Sequence, residues 1–214
     1  TVLLIFWAVT SLIIPKLAID IAANTYPGIS TQEFYSRMES DLYTPDRLAA
    51  IEQYKQDTLN QYRVTNISDL PFNWAGAELL FGESYSDKVF DKLFSQHTQQ
   101  LKLQDETYQQ LAVLSPLIAL QVISSALATT DWRHHQLFTS AAEQYRRGLM
   151  QTLNADVGDK QLWDTIPEFS YQPPALPQVI DSYTSALRSI GIWAVFMLVA
   201  GGVAIRQLSS EGTA

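Results

Sequence analysis

Residues 189–205 read SIGIWAVFMLVAGGVAI, an uncharged apolar stretch bounded by Arg188 and Arg206. A helix that crosses the roughly 30 Å hydrocarbon core of a membrane needs about 20 mainly apolar residues. Extending the helix back to Tyr183 supplies that length, with Arg188 reaching the interface along its aliphatic stem and Tyr183 at headgroup level. We therefore predict a transmembrane helix over residues 183–206, followed by a tail over residues 207–214.

A second apolar stretch, VLLIFWAVTSLII, occupies residues 2–14. It opens at Thr1 without a Met, which suggests the end of a helix from a longer chain. A secretory signal peptide has an apolar region of similar length, but it follows a basic leader that these residues lack. Pro15 and Lys16 then indicate a kinked exit along the interface. We predict an N-terminally truncated transmembrane helix with an interfacial exit over residues 1–23.

The region between these ends is acidic. The sequence has 22 acidic and 14 basic residues, and 21 of the acids but only 11 of the bases lie between Asp20 and Asp181. This balance argues against nucleic acid as a partner, because binding there depends on cationic groups that displace counterions from phosphates. The sequence has no Cys, so disulfide frameworks and thiolate metal sites are excluded. We predict one domain over residues 24–182, held beside the lipid bilayer.

Helix start signals recur in this domain, and no strand-like alternation accompanies them. Ser30 with Glu33 has the spacing of a capping box, and Thr44 followed by Pro45 predicts a helix through Tyr62. A short helix is expected over residues 75–81, ending at Gly82. The longest helical pattern follows, over residues 85–111. The domain is therefore predicted to be all-α.

The second half of the domain continues the helical pattern. Ser115-Pro116 restarts the chain, and the uncharged stretch over residues 117–130 is expected to be a buried or interfacial helix rather than a third crossing. Asp131 is a predicted N-cap for a helix that ends by Asn154. Four prolines over residues 167–177 predict an extended return to the membrane.

One group of residues resembles a metal or catalytic site: Asp131, His134, His135 and Glu143. On a helix, residues four apart share a face, so Asp131 would lie beside His135, with His134 turned about 100° away. A metal site needs three or four converging ligands, and a further one, such as His97, would have to come from elsewhere. The simpler interpretation is that Asp131 caps the helix, His135 packs against aromatic rings and His134 is solvated. We therefore predict no metal ion and no other cofactor.

Motifs for other chemistry are missing from the sequence. It contains neither a Gly-x-Ser-x-Gly nucleophile elbow nor a glycine-rich phosphate-binding loop. We therefore expect no enzyme activity and no nucleotide hydrolysis by this chain. Arg146 and Arg147 would suit an anion, but a solvated pair at the end of a helix is the simpler interpretation. Trp132, Tyr145 and Arg146 are the candidate contacts with a substrate or partner.

Several segments together resemble the C-terminal part of type-2 ABC exporter permeases, in the bacterial subgroup called multi-copper enzyme maturation. The segments follow one order along nearly the whole chain: IIPKLA at 13–18, Pro71 with Asn73 and Gly76, SPLIA at 115–119, Thr130-Asp131 with His134-His135, Ala142-Glu143 with Tyr145-Arg146, and FSY at 169–171 before Pro173-Pro174. The family has Gly before Thr-Asp, where this sequence has Thr129. That departure concerns the local turn.

The resemblance implies the last two membrane helices of a six-helix permease and the large extracytoplasmic loop that joins them. The protein would be multi-pass in the bacterial inner, or cytoplasmic, membrane, with residues 207–214 as a cytoplasmic tail. A separate ABC ATPase subunit would supply energy, and a second permease subunit would complete a homo- or heterodimer. Two alternatives stay open from the residues: a membrane-anchored extracytoplasmic sensor or interaction domain, and a metal-dependent enzyme centred on Asp131 and His135.

Overall fold

The computed structural model describes residues 2–155, 157 and 164–211, and every regular element in these ranges is helical. The all-α prediction is therefore confirmed. The α-helices are α1 Val2–Ala8, α2 Ile14–Thr25, α3 Thr31–Leu42, α4 Pro45–Tyr62, α5 Trp74–Gln110, α6 Pro116–Leu127, α7 Trp132–Ala155, α8 Leu176–Ser182 and α9 Thr184–Glu211. A π-helical segment, Val9–Ile13, joins α1 to α2, and 3₁₀ turns occupy Ile67–Asp69 and Leu111–Leu114.

The helices form two compact units. The first unit comprises Thr1–Pro27, Gln100–Leu137 and Gln172–Ala214, and the second comprises Gly28–Gln99 and Phe138–Tyr171. Helices α5 and α7 each contribute residues to both units. The first unit therefore contains both chain ends, while the second is built from the middle of the sequence.

The helix at the N-terminal end runs from Val2 to Thr25 through the π-helical segment. Pro15 lies in the first turn of α2, directly after that segment. Proline lacks the N–H of a helical bond and its ring crowds the preceding turn. A π-helical turn accommodates such a local mismatch without ending the helix. The Thr10 hydroxyl donates to the Phe6 carbonyl oxygen at 3.0 Å within this segment.

Two helices, Val2–Thr25 and Thr184–Arg206, are long and apolar enough to cross a membrane. In the most apolar 18-residue stretch of each helix, only 17% of the residues of the first helix and 6% of those of the second are buried within the protein. The Phe6 ring packs against the rings of Trp193 and Phe196, with centroids 6.0 and 5.7 Å apart. The two helices thus contact each other while most of their apolar side chains face outward.

The core of the first unit forms around α6. Its buried residues pack with others from α8, Tyr183 and α9: Ile118, Ala119, Val122, Ala126, Val179, Tyr183 and Ala186. A 12-residue helix is about 18 Å long, too short for a roughly 30 Å hydrocarbon core. At this length α6 does not match a third crossing, and one of its faces is buried in the core of the first unit.

Helix α6 ends in a left-handed turn at Thr129, whose φ is 58°. The Thr130 N–H donates to the Ser125 carbonyl oxygen at 2.9 Å, and the Thr129 N–H donates to that of Ala126 at 3.2 Å. This bonding pattern is a Schellman motif, which favours Gly at its left-handed position. The resemblance implied Gly at position 129, and the backbone there has the conformation that a glycine would adopt without strain.

Two predicted helix starts in the second unit are confirmed. The Ser30 hydroxyl accepts from the Glu33 N–H at 3.1 Å, and the Thr44 hydroxyl accepts from the Arg47 N–H at 3.3 Å. Helix α4 runs through Tyr62, as the sequence indicated.

The predicted end of a helix at Gly82 is wrong, because α5 is one helix of 37 residues. A glycine inside a helix costs only about 1 kcal/mol relative to alanine. Aromatic packing on the preceding turns offsets this cost: the Tyr54 ring stacks on Phe81 at 4.6 Å and on Trp74 at 5.6 Å. Burial of these rings keeps the helix continuous.

Residues 167–175 form neither helix nor strand, and Pro177 lies in the first turn of α8. Residues 167–171 pack along α7 within the second unit. The Phe138 ring meets Phe169 and Tyr171 edge-on, and the Tyr145 hydroxyl donates to the Pro167 carbonyl oxygen at 2.8 Å. Aromatic residues of α7 therefore hold residues 167–171 against the helix.

Candidate functional site

A buried polar cluster in the first unit joins Asp131, His134 and Tyr183. Asp131 Oδ1 lies 2.5 Å from His134 Nδ1, and Asp131 Oδ2 accepts a hydrogen bond from the Tyr183 hydroxyl. The side chains of His134 and Asp131 are 4% and 7% exposed, and Tyr183 is 5% exposed. We call these three residues the Asp131 cluster. It connects the start of α7 to the residue that precedes α9.

The position of Asp131 at the start of α7 explains this geometry. Asp131 precedes the helix, and its Oδ1 accepts from the His134 backbone N–H at 2.8 Å. An N-cap side chain reaches the residue three positions ahead, because its own backbone is not helical. The predicted cap is confirmed, but the interpretation that His134 is solvated is wrong. His135 is the exposed histidine, and its ring lies 5.9 Å from that of Trp132.

Two further features mark the Asp131 cluster. His134 Nε2 is buried and has no hydrogen-bond partner. Burial raises the pKa of the nearby Asp105 carboxyl, a Gln109 hydrogen bond opposes that rise, and the Asp131 charge adds to it. The cluster can therefore hold α7 and α9 in a fixed relation through one shared carboxylate.

A hairpin in the same unit comprises the end of α5, the Leu111–Leu114 turn and α6. The Ser115 hydroxyl, fully buried, donates to the Thr10 carbonyl oxygen at 2.6 Å. From α9, the Ser189 hydroxyl donates to the Ala112 carbonyl oxygen at 2.7 Å, and Trp193 Nε1 donates to that of Val113 at 3.1 Å. Carbonyl groups at a helix end lack intrahelical partners. Neutral side chains thus donate hydrogen bonds to carbonyl oxygens of the hairpin turn and of the N-terminal helix. These bonds attach the hairpin to both apolar helices.

A charged cluster lies within the second unit, between α5 and α7. Glu143 accepts from Arg146 Nε at 2.8 Å and from Arg147 Nε at 2.7 Å. Arg146 also reaches Glu83 at 3.2 Å and Asp87 at 2.8 Å through its terminal nitrogens. Arg147 donates through both terminal nitrogens to the two oxygens of Asp91, at 3.0 and 2.5 Å. We call these six residues the arginine cluster.

The arginine cluster is held in its charged form. Hydrogen bonds from Arg146 lower the pKa of Glu143 to about 2 despite partial burial, and those from Arg147 add to the effect. A hydrogen bond from Arg147 likewise lowers the pKa of Asp91. The interpretation of Arg146 and Arg147 as a solvated pair at a helix end is therefore wrong. Helix α7 continues to Ala155, and both guanidinium groups pair with carboxylates.

Comparison with known proteins assigns the middle of the chain to a family. Residues 43–172 match the family described as Domain of unknown function (DUF3526). The chain belongs to the DUF3526 family. No curated protein and no solved structure matches the chain. The matched region contains Asp131, His134 and the whole arginine cluster, while Tyr183 and both apolar helices lie outside it.

Within the DUF3526 region, the four residues of the candidate metal site do not converge. Asp131 and His134 meet, whereas His135 points to solvent and Glu143 belongs to the arginine cluster. Glu143 lies 12 positions beyond Asp131 along α7, which corresponds to about 18 Å of helix. Among residues 2–155, 157 and 164–211, no three His, Asp or Glu side chains are arranged to hold a metal ion.

The three predicted contact residues have different surroundings. Trp132 lines a groove of about 350 Å³ together with Arg133 and Tyr183. The Tyr145 ring packs on Phe169, with centroids 5.4 Å apart. The nitrogen atoms of Arg146 all donate to carboxylates. Trp132 is thus the predicted contact that borders a groove in the first unit.

Sequence reasoning missed the acidic partners of the arginines. Glu83, Asp87 and Asp91 are spaced four apart, which places them along one face of α5. That signal was present in the sequence: the predicted helix over residues 85–111 contains Asp87 and Asp91, and only Glu83 lay in the predicted break after Gly82. The hydroxyls of Ser115 and Ser189 carried no comparable signal, because serine is common both at caps and on exposed surfaces.

Proposed function

We propose that the chain is the C-terminal part of an ABC exporter permease in a bacterial cytoplasmic membrane. Its two apolar helices cross the bilayer, and the region between them is an extracytoplasmic domain that contacts substrate or a partner. A separate ABC ATPase supplies energy, and a second permease subunit completes the translocation path. Residues 207–214 lie on the cytoplasmic side.

One observation carries this proposal: the outward-facing apolar surface of the two terminal helices. In a water-soluble protein, a contiguous exposed apolar patch rarely exceeds a few hundred Å². In each of the two terminal helices, most residues of the apolar stretch face outward from the protein. The exposed Val113 and Leu114 of the hairpin add to this surface beside the same helices. A lipid environment removes the cost of exposing these side chains to water.

The hydrogen bonds of the hairpin support the same environment. Backbone groups within a bilayer need partners from the protein, because the hydrocarbon supplies none. Ser115, Ser189 and Trp193 provide such partners to carbonyl oxygens of the hairpin turn and of the N-terminal helix. Serine and tryptophan do so without bringing a charge into the apolar region.

Cysteine accessibility tests the two-span arrangement, and these 214 residues contain no Cys. A membrane-impermeant maleimide is applied to intact cells that express Gln144→Cys, Ser209→Cys or Leu198→Cys. We expect labelling of Gln144→Cys in intact cells, labelling of Ser209→Cys only after permeabilisation, and no aqueous labelling of Leu198→Cys. Labelling of Gln144→Cys and Ser209→Cys from the same side would refute the two spans.

Co-purification tests the transporter assignment. The full-length protein is purified from its native membrane, and bound subunits are identified by mass spectrometry. We expect an ATPase with a phosphate-binding loop, and vanadate-sensitive ATP hydrolysis by the complex. Purification without any such ATPase would contradict the assignment.

A membrane-anchored sensor is the second candidate, because the second unit is compact by itself and carries an open groove of about 650 Å³. This candidate expects a cytoplasmic signalling domain in the full-length protein or among its bound subunits. The sequence of the full-length protein distinguishes the two candidates. Four further apolar helices favour the permease, and a kinase domain favours the sensor.

A further inference from the structure

The second unit has a groove between α5 and α7 with a volume of about 650 Å³. Its apolar side is formed by Phe90, Phe94 and Ala142, and its polar side by Thr139, Ser140 and Gln144 with members of the arginine cluster. Volumes of about 300–1,000 Å³ are typical of sites for small organic molecules. The groove therefore has the size and mixed lining of a small-ligand site.

The aromatic side of the groove is a platform of stacked rings. Phe90 and Phe94 stack with centroids 5.4 Å apart and an interplanar angle of 16°. Phe34 meets Phe90 edge-on at 6.3 Å and supports it from α3. Phe90 is nevertheless partly exposed. A ring face held in this way attracts both an apolar group and a cation.

The charges beside the platform favour a cation over an anion. Each nitrogen of both guanidinium groups already donates to a carboxylate, so carboxylates within the cluster offset the positive charge of both arginines. The arginine cluster has four carboxylates and two guanidinium groups, a net charge of −2. The Asp91 side chain is 58% exposed. Its carboxylate can therefore accept a further hydrogen bond or lie beside a second cation.

The second unit as a whole also has a negative net charge. Its sequence contains 16 acidic and 9 basic residues, a net charge of −7. A field of one sign raises the local concentration of oppositely charged ligands and speeds their association. Charge complementarity and the aromatic platform thus select the same class of ligand.

We propose that this groove binds a small organic cation with an apolar body. The apolar body lies on the stacked rings of Phe90 and Phe94, and the cationic group lies toward Asp91 and Glu143. The inference goes beyond the proposed function, because a permease and a sensor could both use the site. Its test needs no ATPase and no transport.

Binding of tetraphenylphosphonium tests the proposal, with tetraphenylborate as an anion of nearly the same shape. The full chain is held in lipid nanodiscs, and heats of binding are measured by isothermal titration calorimetry with subtraction of empty nanodiscs. We expect saturable binding of the cation and at least a tenfold weaker affinity for the anion. Equal affinity for the two ions would overturn the proposal.

Substitutions assign the binding to this groove. Phe94→Leu keeps an apolar side chain but removes the ring face, and Asp91→Asn removes one charge without changing shape. We expect each to weaken cation binding about fivefold or more, and Asp91→Asn also to reduce its salt dependence. Tyr43→Ala is the matched control, because Tyr43 is an exposed aromatic residue of the same unit that does not line the groove.

The control variant also distinguishes binding of the cation in the groove from its partitioning into the lipid. If Phe94→Leu and Asp91→Asn bind the cation as Tyr43→Ala does, the binding lies elsewhere and the proposal fails. Circular dichroism checks that each variant keeps its helical content. If Phe94→Leu loses that content, Asp91→Asn together with the cation–anion comparison decides the result. A negative result would not bear on the proposed membrane topology, because cysteine labelling tests that topology independently.

Discussion

Replacement of Asp131 by alanine is expected to destabilise the first unit strongly. The substitution removes an N-cap, which contributes about 1 kcal/mol. It also leaves His134 Nδ1 and the Tyr183 hydroxyl without their shared partner inside the protein. Each buried group that loses its partner costs about 1–3 kcal/mol. We therefore expect Asp131→Ala to reduce the free energy of unfolding by about 3–7 kcal/mol.

Thermal unfolding of the full chain in nanodiscs measures this effect. For a chain of this size, 1 kcal/mol corresponds to roughly 2–4 °C in Tm, so the expected fall is roughly 6–28 °C. Asp131→Asn keeps an oxygen for the His134 backbone N–H and should lose much less. Asp181→Ala is the control, since Asp181 is an exposed acid of α8. A surface substitution of this kind changes stability by about 0.5 kcal/mol or less.

A double-mutant cycle with Tyr183→Phe tests the shared carboxylate directly. Tyr183→Phe removes the hydroxyl that Asp131→Ala would leave unpaired, so Asp131→Ala should cost about 1–3 kcal/mol less in that background. Additive effects would show that the Asp131–Tyr183 bond contributes nothing. A fall in Tm for Asp131→Ala within 2 °C of the Asp181→Ala control would refute the importance of the whole cluster.

Three further substitutions test local features of the fold. Thr129→Gly should stabilise the protein by about 0.5–1 kcal/mol, because glycine adopts the left-handed conformation without steric cost; an unchanged or lower Tm would contradict the strain at this turn. Gly76→Ala should destabilise by about 1–3 kcal/mol, since its Cβ would lie 2.3 Å from the Asn154 carbonyl oxygen. Gly148 has open space around it, so Gly148→Ala should stabilise the protein by about 0.5–1 kcal/mol. Equal effects of Gly76→Ala and Gly148→Ala on stability would refute the close packing at Gly76. Glu143, whose pKa in the folded protein is about 2, stabilises the fold above its unfolded pKa of about 4.3 and loses this contribution as pH falls toward 2. The Tm of the natural chain should therefore fall more steeply between pH 5 and 2.5 than that of Glu143→Gln, and parallel curves would contradict this.

Local sequence signals predicted much of the fold. Ser30, Thr44 and Asp131 were identified as N-caps because cap preferences depend only on the first helical turn, and the structure confirms each bond. The helix end at Gly82 was wrong because the rings of Tyr54, Trp74 and Phe81 come together only in the tertiary structure. Local propensity is a weak indicator wherever packing decides the outcome.

The sites were harder to predict than the helices. A regular-helix geometry paired Asp131 with His135, but a capping residue is not yet helical and reaches His134 instead. The bond from Tyr183 crosses 52 positions of sequence, and no local pattern indicates such a contact. The acids of the arginine cluster repeat every four residues along α5, but no local pattern indicates that this face meets Arg146 and Arg147 of α7.

The polar contacts of the hairpin and of the arginine cluster differ in a way that bears on their surroundings. Neutral donors from Ser115, Ser189 and Trp193 join the hairpin and the apolar helices. In the second unit, ion pairs of the arginine cluster join α5 and α7. Charged groups are costly in hydrocarbon, whereas partly exposed ion pairs in water retain their hydration. A chain whose two apolar helices and hairpin turn lie in lipid and whose arginine cluster lies in water would need this division of contacts, and the membrane permease proposed here has that arrangement.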